Sequence, residues 1–357
     1  MAYITFQPKD HFNTVLYTGN GSTQSITGVG FQPDMTWGKA RSTTTNHVIQ
    51  SSVQGLSTAV FPNLTNAQST GLTNGITSFN ADGFSLGDWS PLNASSQTFV
   101  AWNWKAGNSQ GSSNTDGTIN TTYTSVNTTA GFSISQYGGN GTQFATVGHG
   151  LGVAPNVIMI KNLTGTTGWI VYHDKAGLTG STLDGEAEYK MLSLNGTGAA
   201  SDNNNDVIWG STSTRYKIDA TGSATYLNSS GSNYVAYCFA EKKGYSKFGS
   251  YTGNGNADGA FVYTGFKPAF IIVKRSSATE DWKMFDNKRP GYNLTDLRLK
   301  PNGSETETSS GGFDFTSNGF KARSTDAAEN ASGSTYIYMA FAEEPLVSSN
   351  NIPATAR

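Results

Sequence analysis

The 357-residue chain carries 13% charged residues, a formal net charge of -2 and one cysteine, Cys238. That balance gives nucleic acid and anionic membranes no electrostatic footprint, and a single thiol makes neither an intrachain disulfide nor a cysteine zinc cluster. With 42 glycines and 12% aromatics, the composition is that of short strands joined by many turns, in a chain that folds.

Residues 1–11 lack a basic region followed by an apolar run, so no signal peptide is expected and they read as a docking arm. One phrase then occurs three times: Tyr17-Thr-Gly-Asn20-Gly21, Tyr137-Gly-Gly-Asn140-Gly141 and Tyr251-Thr-Gly-Asn254-Gly255. Each occurrence leads into a Gly/Pro-marked stretch ending in lysine: Gly30-Phe31-Gln-Pro33 to Lys39, Gly152-Val153-Ala-Pro155 to Lys161, and Gly265-Phe266-Lys-Pro268 to Lys274. Each closes on an aromatic strand, Thr98 to Trp102, Asn233 to Tyr237, and Thr335 to Phe341. The spacing is that of a small domain rather than a solenoid unit.

The expected units are therefore 12–106, 131–243 and 244–344, with a tail over 345–357. Between the first two, 107–130 begins as a small-residue linker that would allow flexing, while Thr118 to Val126 has the propensity to add an edge strand to the second repeat. The second and third repeats are joined too closely for independent motion and are expected to pack as a rigid pair. Runs such as Asn156 to Ile160 and Ala269 to Val273 read as buried strands; Phe313 to Thr316 alternates like a strand with one wet face. Thr182 to Leu194, the best helical candidate, has no sustained stripe, and no apolar run is long enough to insert in a membrane. The predicted fold is all-β: three tandem antiparallel β-sandwiches, jelly-roll or lectin-like, with very little helix.

Asn20-Gly21, Asn140-Gly141 and Asn254-Gly255 accept positive φ readily and are expected to form tight hairpin turns. Trp169 followed by Asp174, and Trp282 followed by Asp286, pair a ring with a carboxylate as sugar sites do. The competing reading, which repetition favours, is a core tryptophan with its N–H satisfied. The first repeat offers Trp37 and His47 instead. Trp102 and Trp104 share one strand face; aligned with Tyr237/Phe239 and Phe341/Glu343, they read as core, but Glu343 leaves room for Trp104 to be an exposed stacking ring.

Catalytic patterns are sparse. Asp184, Glu186 and Glu188 alternate, as paired carboxylates of a glycosidase would, yet occur in one repeat between glycines and read as a solvated loop. His11, His47, His149 and His173 have no metal-ligand spacing. Ser201 to Asp206 could offer calcium oxygen ligands but lacks the glycine and terminal glutamate of a helix-loop-helix site. No catalytic residue, metal site or cofactor is assigned, calcium standing as the open option, and the chain is not read as an enzyme.

The wording from Tyr17 to Asp34, from Ala145 to Pro155 and from Tyr245 to Gly255 resembles repeat proteins of tailed bacteriophages, especially those of marine bacteria and cyanobacteria. The resemblance covers almost the whole chain and extends to Gly83-Phe84-Ser-Leu-Gly87. It implies a virion structural protein, either a tail fibre or appendage adhering to host-surface polysaccharide, or a capsid decoration. Other virion proteins are the implied partners, with a host glycan for the adhesin and a homo-oligomer on the virion. The long connection from Thr164 to Asn205 is where binding loops would be sought.

Overall fold

The computed structural model describes residues 7–183, 186–202, 208–218 and 226–342. The described part is all-β. The first repeat contributes β1 (Phe12–Thr18), β2 (Gln24–Thr27), β3 (Met35–Ala40), β4 (Val48–Ser51), β5 (Ile76–Asn80), β6 (Gly83–Leu86) and β7 (Thr98–Trp104). The second contributes β8 (Thr121–Asn127), β9 (Phe132–Gly138), β10 (Thr146–Gly148), β11 (Val157–Asn162), β12 (Trp169–His173), β13 (Leu178–Leu183), β14 (Glu186–Tyr189), β15 (Met191–Leu192), β16 (Ile208–Ser211), β17 (Arg215–Ile218) and β18 (Asn233–Phe239). The third contributes β19 (Ser246–Thr252), β20 (Phe261–Tyr263), β21 (Pro268–Arg275), β22 (Lys283–Asp286), β23 (Thr295–Arg298), β24 (Thr308–Thr316), β25 (Gly319–Ala322) and β26 (Thr335–Ala342).

Each repeat builds a main sheet and an outer sheet, the outer one smaller in the first two repeats and equally four-stranded in the third. The main sheets run β1-β7-β3-β4, β8-β9-β18-β11-β12-β15 and β19-β26-β21-β22; the outer ones run β2-β6-β5, β10-β17-β16 and β20-β25-β24-β23. All pairings within them are antiparallel; Tyr17 faces Phe99, Tyr137 faces Tyr234 and Tyr251 faces Tyr336 in the same register.

The strands at the middle of the main sheets are buried on both faces. Alternate residues of β18, Tyr234, Ala236 and Cys238, pack toward the second outer sheet, while Val235, Tyr237 and Phe239 enter a core shared by all three repeats. Strand β26 splits the same way, with Ile337, Met339 and Phe341 in the shared core and Tyr336, Tyr338 and Ala340 packed toward the third outer sheet. At the centre, the equivalent residues Trp104, Phe239 and Phe341 form a triangle of edge-to-face rings with centroids 6.3, 6.0 and 5.7 Å apart. Such contacts add to the large area these rings bury.

The repeats also interlock in a ring. Gln68 N–H donates to the Leu163 carbonyl (3.0 Å), Ala200 to Ser276 (2.8 Å) and Glu307 to Arg41 (2.9 Å), so the first repeat caps the second, the second the third, and the third the first. The motif lysines sit at these joints: Lys161 Nζ donates to Thr65 of the first repeat (3.2 Å) and Lys274 Nζ to Thr197 of the second (3.1 Å). Lys39 lies near Glu305 and Glu307 of the third, and Arg41 grips Glu307 with two bonds of 3.0 and 2.8 Å. A head-to-tail contact that closes on itself needs no cap at either end.

The 107–117 stretch is tied down rather than loose. Gly107 N–H donates to Ser125 (2.9 Å), Gln110 to the Val53 carbonyl (3.0 Å), and Thr124 N–H to the Ser112 carbonyl (2.7 Å). Beyond it, β8 lies at the edge of the second main sheet. Residues 1–6 of the expected docking arm and the tail from 343 onward lie outside the described residues.

Candidate functional site

The triplicated Asn-Gly phrase does not form the hairpin turn its dipeptide predicts. Instead, each exposed asparagine is clamped by a buried one from just before the last strand. Asn20, Asn140 and Asn254 N–H groups donate to Asn93, Asn228 and Asn330 side chains at 2.9, 2.9 and 3.0 Å. The buried amides donate back to the Asn20, Asn140 and Asn254 oxygens at 3.2, 3.0 and 2.9 Å. Those oxygens also cap Ser22, Thr142 and Asn256 N–H groups, an Asx turn in each case. Gly21, Gly141 and Gly255 hold φ of 68, 70 and 70°, where glycine carries no Cβ penalty. The preceding glycines admit a ring: a Cβ on Gly19, Gly139 or Gly253 would lie 2.9, 2.9 or 3.0 Å from Phe99, Tyr234 or Tyr336. Those rings stack on Tyr17, Tyr137 and Tyr251 at 5.2, 5.1 and 4.9 Å. This constellation is architecture.

The tryptophans considered for glycan stacking are core residues. Trp169 Nε1 donates to the Phe61 carbonyl and Trp282 Nε1 to the Ser193 carbonyl, both at 2.9 Å, and both rings are sealed at the repeat joints. Strand register puts His47 at the position they occupy: it follows from Gly38 facing Val48 as Val273 faces Lys283, one residue beyond. Trp104 stands at the centre of the shared core, and register aligns it with Phe341 rather than Glu343, which removes the mismatch that left it room to be exposed. Asp174 and Asp286 are not equivalent, because Val157 faces His173 where Phe270 faces Asp286. Asp286 is wholly buried, accepting from Trp102 Nε1 (3.0 Å) and from Arg289 (2.6 Å), whose guanidinium lies over the Trp102 ring. Asp174 is bound to Asn156 and Lys175, each at 2.9 Å. No ligand can stack on these rings without opening the core.

The other candidates are equally occupied. Glu188 is buried and accepts from Thr179 (2.8 Å); Asp184 and the Glu186 side chain, like 203–206 of the calcium option, lie outside the described residues. Among the described residues no three His, Cys, Asp or Glu side chains gather as a metal site. His173 is buried with its Nε2 on the Tyr338 carbonyl (3.1 Å), and burial lowers its pKa to about 4. Within the 164–205 connection run β12 to β15, not free loops alone.

What stands out instead is the outer sheet of the third repeat. On β20, Val262 points into the core while Phe261 and Tyr263 point out, 49% and 65% exposed. Both rings lie over glycines: a Cβ on Gly319 would come 3.2 Å from Phe261, and one on Gly265 would come 3.5 Å from the Tyr263 hydroxyl. Beside them Lys321 meets Asp258 at 2.6 Å, and Arg323 bridges Asp258 (3.0 Å) and Asp314 (3.2 Å). The Lys321 hydrogen bond is the main cause holding the Asp258 pKa below its ordinary value. At the far edge, Asn293 exchanges two 2.9 Å bonds with Phe315, and its neighbour Tyr292 is 85% exposed. In register, Phe261 and Tyr263 correspond to Ser25 and Thr27 in the first repeat and to Thr146 and Gly148 in the second. The scaffold thus does not require rings there. Sequence reading missed this face because Phe261-Val-Tyr263 is apolar throughout and shows no alternation, and only the facing of Val262 with the buried Phe320 decides which side is wet.

A model of the family described as Domain of unknown function (DUF7483) matches residues 7–345. No curated protein and no solved structure matches the chain. Since the match takes in all three repeats, the chain belongs to the DUF7483 family.

Proposed function

We propose that this chain is a structural protein of a tailed-phage virion, mounted as a tail fibre or appendage, and that the outer face of its third repeat adheres to host-surface polysaccharide. The observation that carries the reading is the exposed pair Phe261 and Tyr263, beside an ion-paired ladder, at positions where the sister repeats have small residues. Aromatic faces stack on sugar C–H groups, and the flanking carboxylates and cations supply partners for hydroxyls. With two cations and two carboxylates compensating one another, the face suits a neutral glycan. Weak single sites gain avidity when many copies sit on one particle. We read each repeat as a compact lectin-like sandwich, the whole as a homo-oligomer on the virion, and its role as binding rather than catalysis. The virion assignment rests on the resemblance in the sequence.

The test is a polysaccharide-binding screen with the intact chain and with Phe261→Ala/Tyr263→Ala. Binding that falls at least tenfold in the double variant, at unchanged melting temperature, is expected; about 0.5–1.5 kcal/mol for each of the two rings would do this. Undiminished binding would place adhesion elsewhere. The second reading, a capsid decoration, is favoured by sheet edges of the first and third repeats that no strand covers among the described residues, and which suit docking; labelling of intact virions over the head rather than the tail would select it.

A further inference from the structure

The second repeat closes one side of its two sheets with the segment that leads into it. Ile119 bridges Val147 in parallel, its N–H on the Thr146 carbonyl at 2.9 Å, while Thr118 and Thr146 each donate N–H to the other's hydroxyl at 2.9 Å. The segment then crosses to the main sheet and runs antiparallel along β9 as β8. In the first repeat the matching strands, β1 and β2, are the terminal strands of their sheets. Register equates Ser25-Ile26-Thr27 with Thr146-Val147-Gly148, because Ile26 faces Phe84 as Val147 faces Tyr216.

Exposure follows this difference. Tyr137 and Val147 are both 0% exposed, whereas their counterparts are a half-buried Tyr17 and an Ile26 at 7%, and Leu16 beside them is 38% exposed. Asn13 and Gln24 bridge the two strands at the ends of this side, donating to Val29 (3.0 Å) and Thr18 (3.3 Å) carbonyls. Ser25 keeps a hydroxyl where Thr146 has one. Among the described residues no strand pairs with this edge, and side chains take up only its Thr14 N–H, on Asn13 Oδ1 (2.9 Å), and the Thr18 carbonyl. Such an edge with apolar flanks is a template for strand addition, which proteins otherwise protect with charge or cover. The third repeat is open too, but its edge carries Phe261 and Tyr263 in place of the hydroxyl.

We propose that the β1/β2 side of the first repeat is a strand acceptor for an extended segment of a partner protein, in which a hydroxyl residue precedes an apolar β-branched one. The segment adds in parallel to β2 and continues antiparallel along β1, as 118–127 does in the second repeat, and backbone pairing carries the affinity. This interface is independent of the glycan reading.

The test uses the full chain and a synthetic peptide copying residues 115–127, followed by amide hydrogen exchange. Peptide-dependent protection of residues 13–18 and 24–27 is expected, with affinity at least tenfold weaker for Leu16→Lys/Thr27→Lys, both exposed positions whose charge blocks an edge. No binding, or protection elsewhere, overturns the proposal. Protection of the same strands that rises with protein concentration alone would assign the edge to a second copy and overturn the partner named here.

Discussion

At the residue scale, the buried asparagines matter more than the exposed ones that make the motif visible. Asn228 is fully buried; its side chain accepts from Asn140 N–H and donates to the Asn140 oxygen and the Thr142 carbonyl, at 2.9, 3.0 and 2.8 Å. Removing it leaves a backbone N–H and carbonyl without partners, and a buried group left unsatisfied costs about 1–3 kcal/mol. Asn228→Ala is therefore expected to lower unfolding free energy by about 2–4 kcal/mol in denaturant titrations. Asn140→Ala frees the N–H of the exposed Thr142 and one hydrogen of the buried Asn228 amide, whose bond to the Thr142 carbonyl is kept, so it should cost less. A larger loss from Asn140→Ala would reverse this ranking. The signal for the buried partners was present in the sequence: Asn93, Asn228 and Asn330 each precede the stacked ring of the last strand, Phe99, Tyr234 and Tyr336, by the same interval.

At the element scale, the middle strands act as shared walls. Trp104 touches Phe12, Phe239, Phe270 and Phe341 from three repeats, so its truncation opens a cavity that no single repeat can collapse around. Trp104→Ala is expected to cost about 3–5 kcal/mol and to lower the unfolding of all three repeats together in a calorimetric scan. A separate low-temperature transition of the first repeat would show that the core is not held in common. Strand positions and the triplication were legible, since period-2 alternation and turn residues are local. The shared core was not. Alternation in Tyr234 to Phe239 tells which residues lie on the same side, but not that the second side meets other repeats instead of water. The same gap hid the partners of Trp169 and Trp282, though not the core role that repetition favoured: their N–H acceptors, Phe61 and Ser193, come from the preceding repeat, and no spacing within one repeat points to them. The face at Phe261 and Tyr263 was not legible as a surface, because three consecutive apolar residues do not tell that Val262, facing Phe320, takes the inner side and leaves the two rings on the outer one.

At the scale of the whole molecule, the four histidines turn this closed packing into a pH dependence. His11, His47, His149 and His173 all have pKa values lowered, in each case chiefly by burial, with His173 at about 4 and His47 well below its ordinary value. Below pH about 6.5 the unfolded chain binds protons that the native state refuses, so stability present above 6.5 is lost as pH falls toward the native values. Each fully refused proton contributes a slope of about 1.4 kcal/mol per pH unit. Asp34 and Glu329 act in the opposite sense, since burial raises their pKa values and the native state takes up their protons first. Their influence begins from the carboxylate side of the range, so the histidines govern the upper part of the window, from pH 6.5 to about 5. The expected result is a melting temperature that levels near pH 7, falls steadily below 6.5 and rises again toward pH 8 and above, where burial lowers Lys39, Lys161 and Lys274 to about 8 and the unfolded chain holds protons that the native state gives up. His47→Asn/His173→Gln should lower the plateau, because both rings are buried and bonded, yet flatten the slope between pH 6.5 and 5. An unchanged slope in that variant would mean that His47 and His173 do not set the acid limb, and would leave His11 and His149, both also lowered by burial, as the groups to replace next.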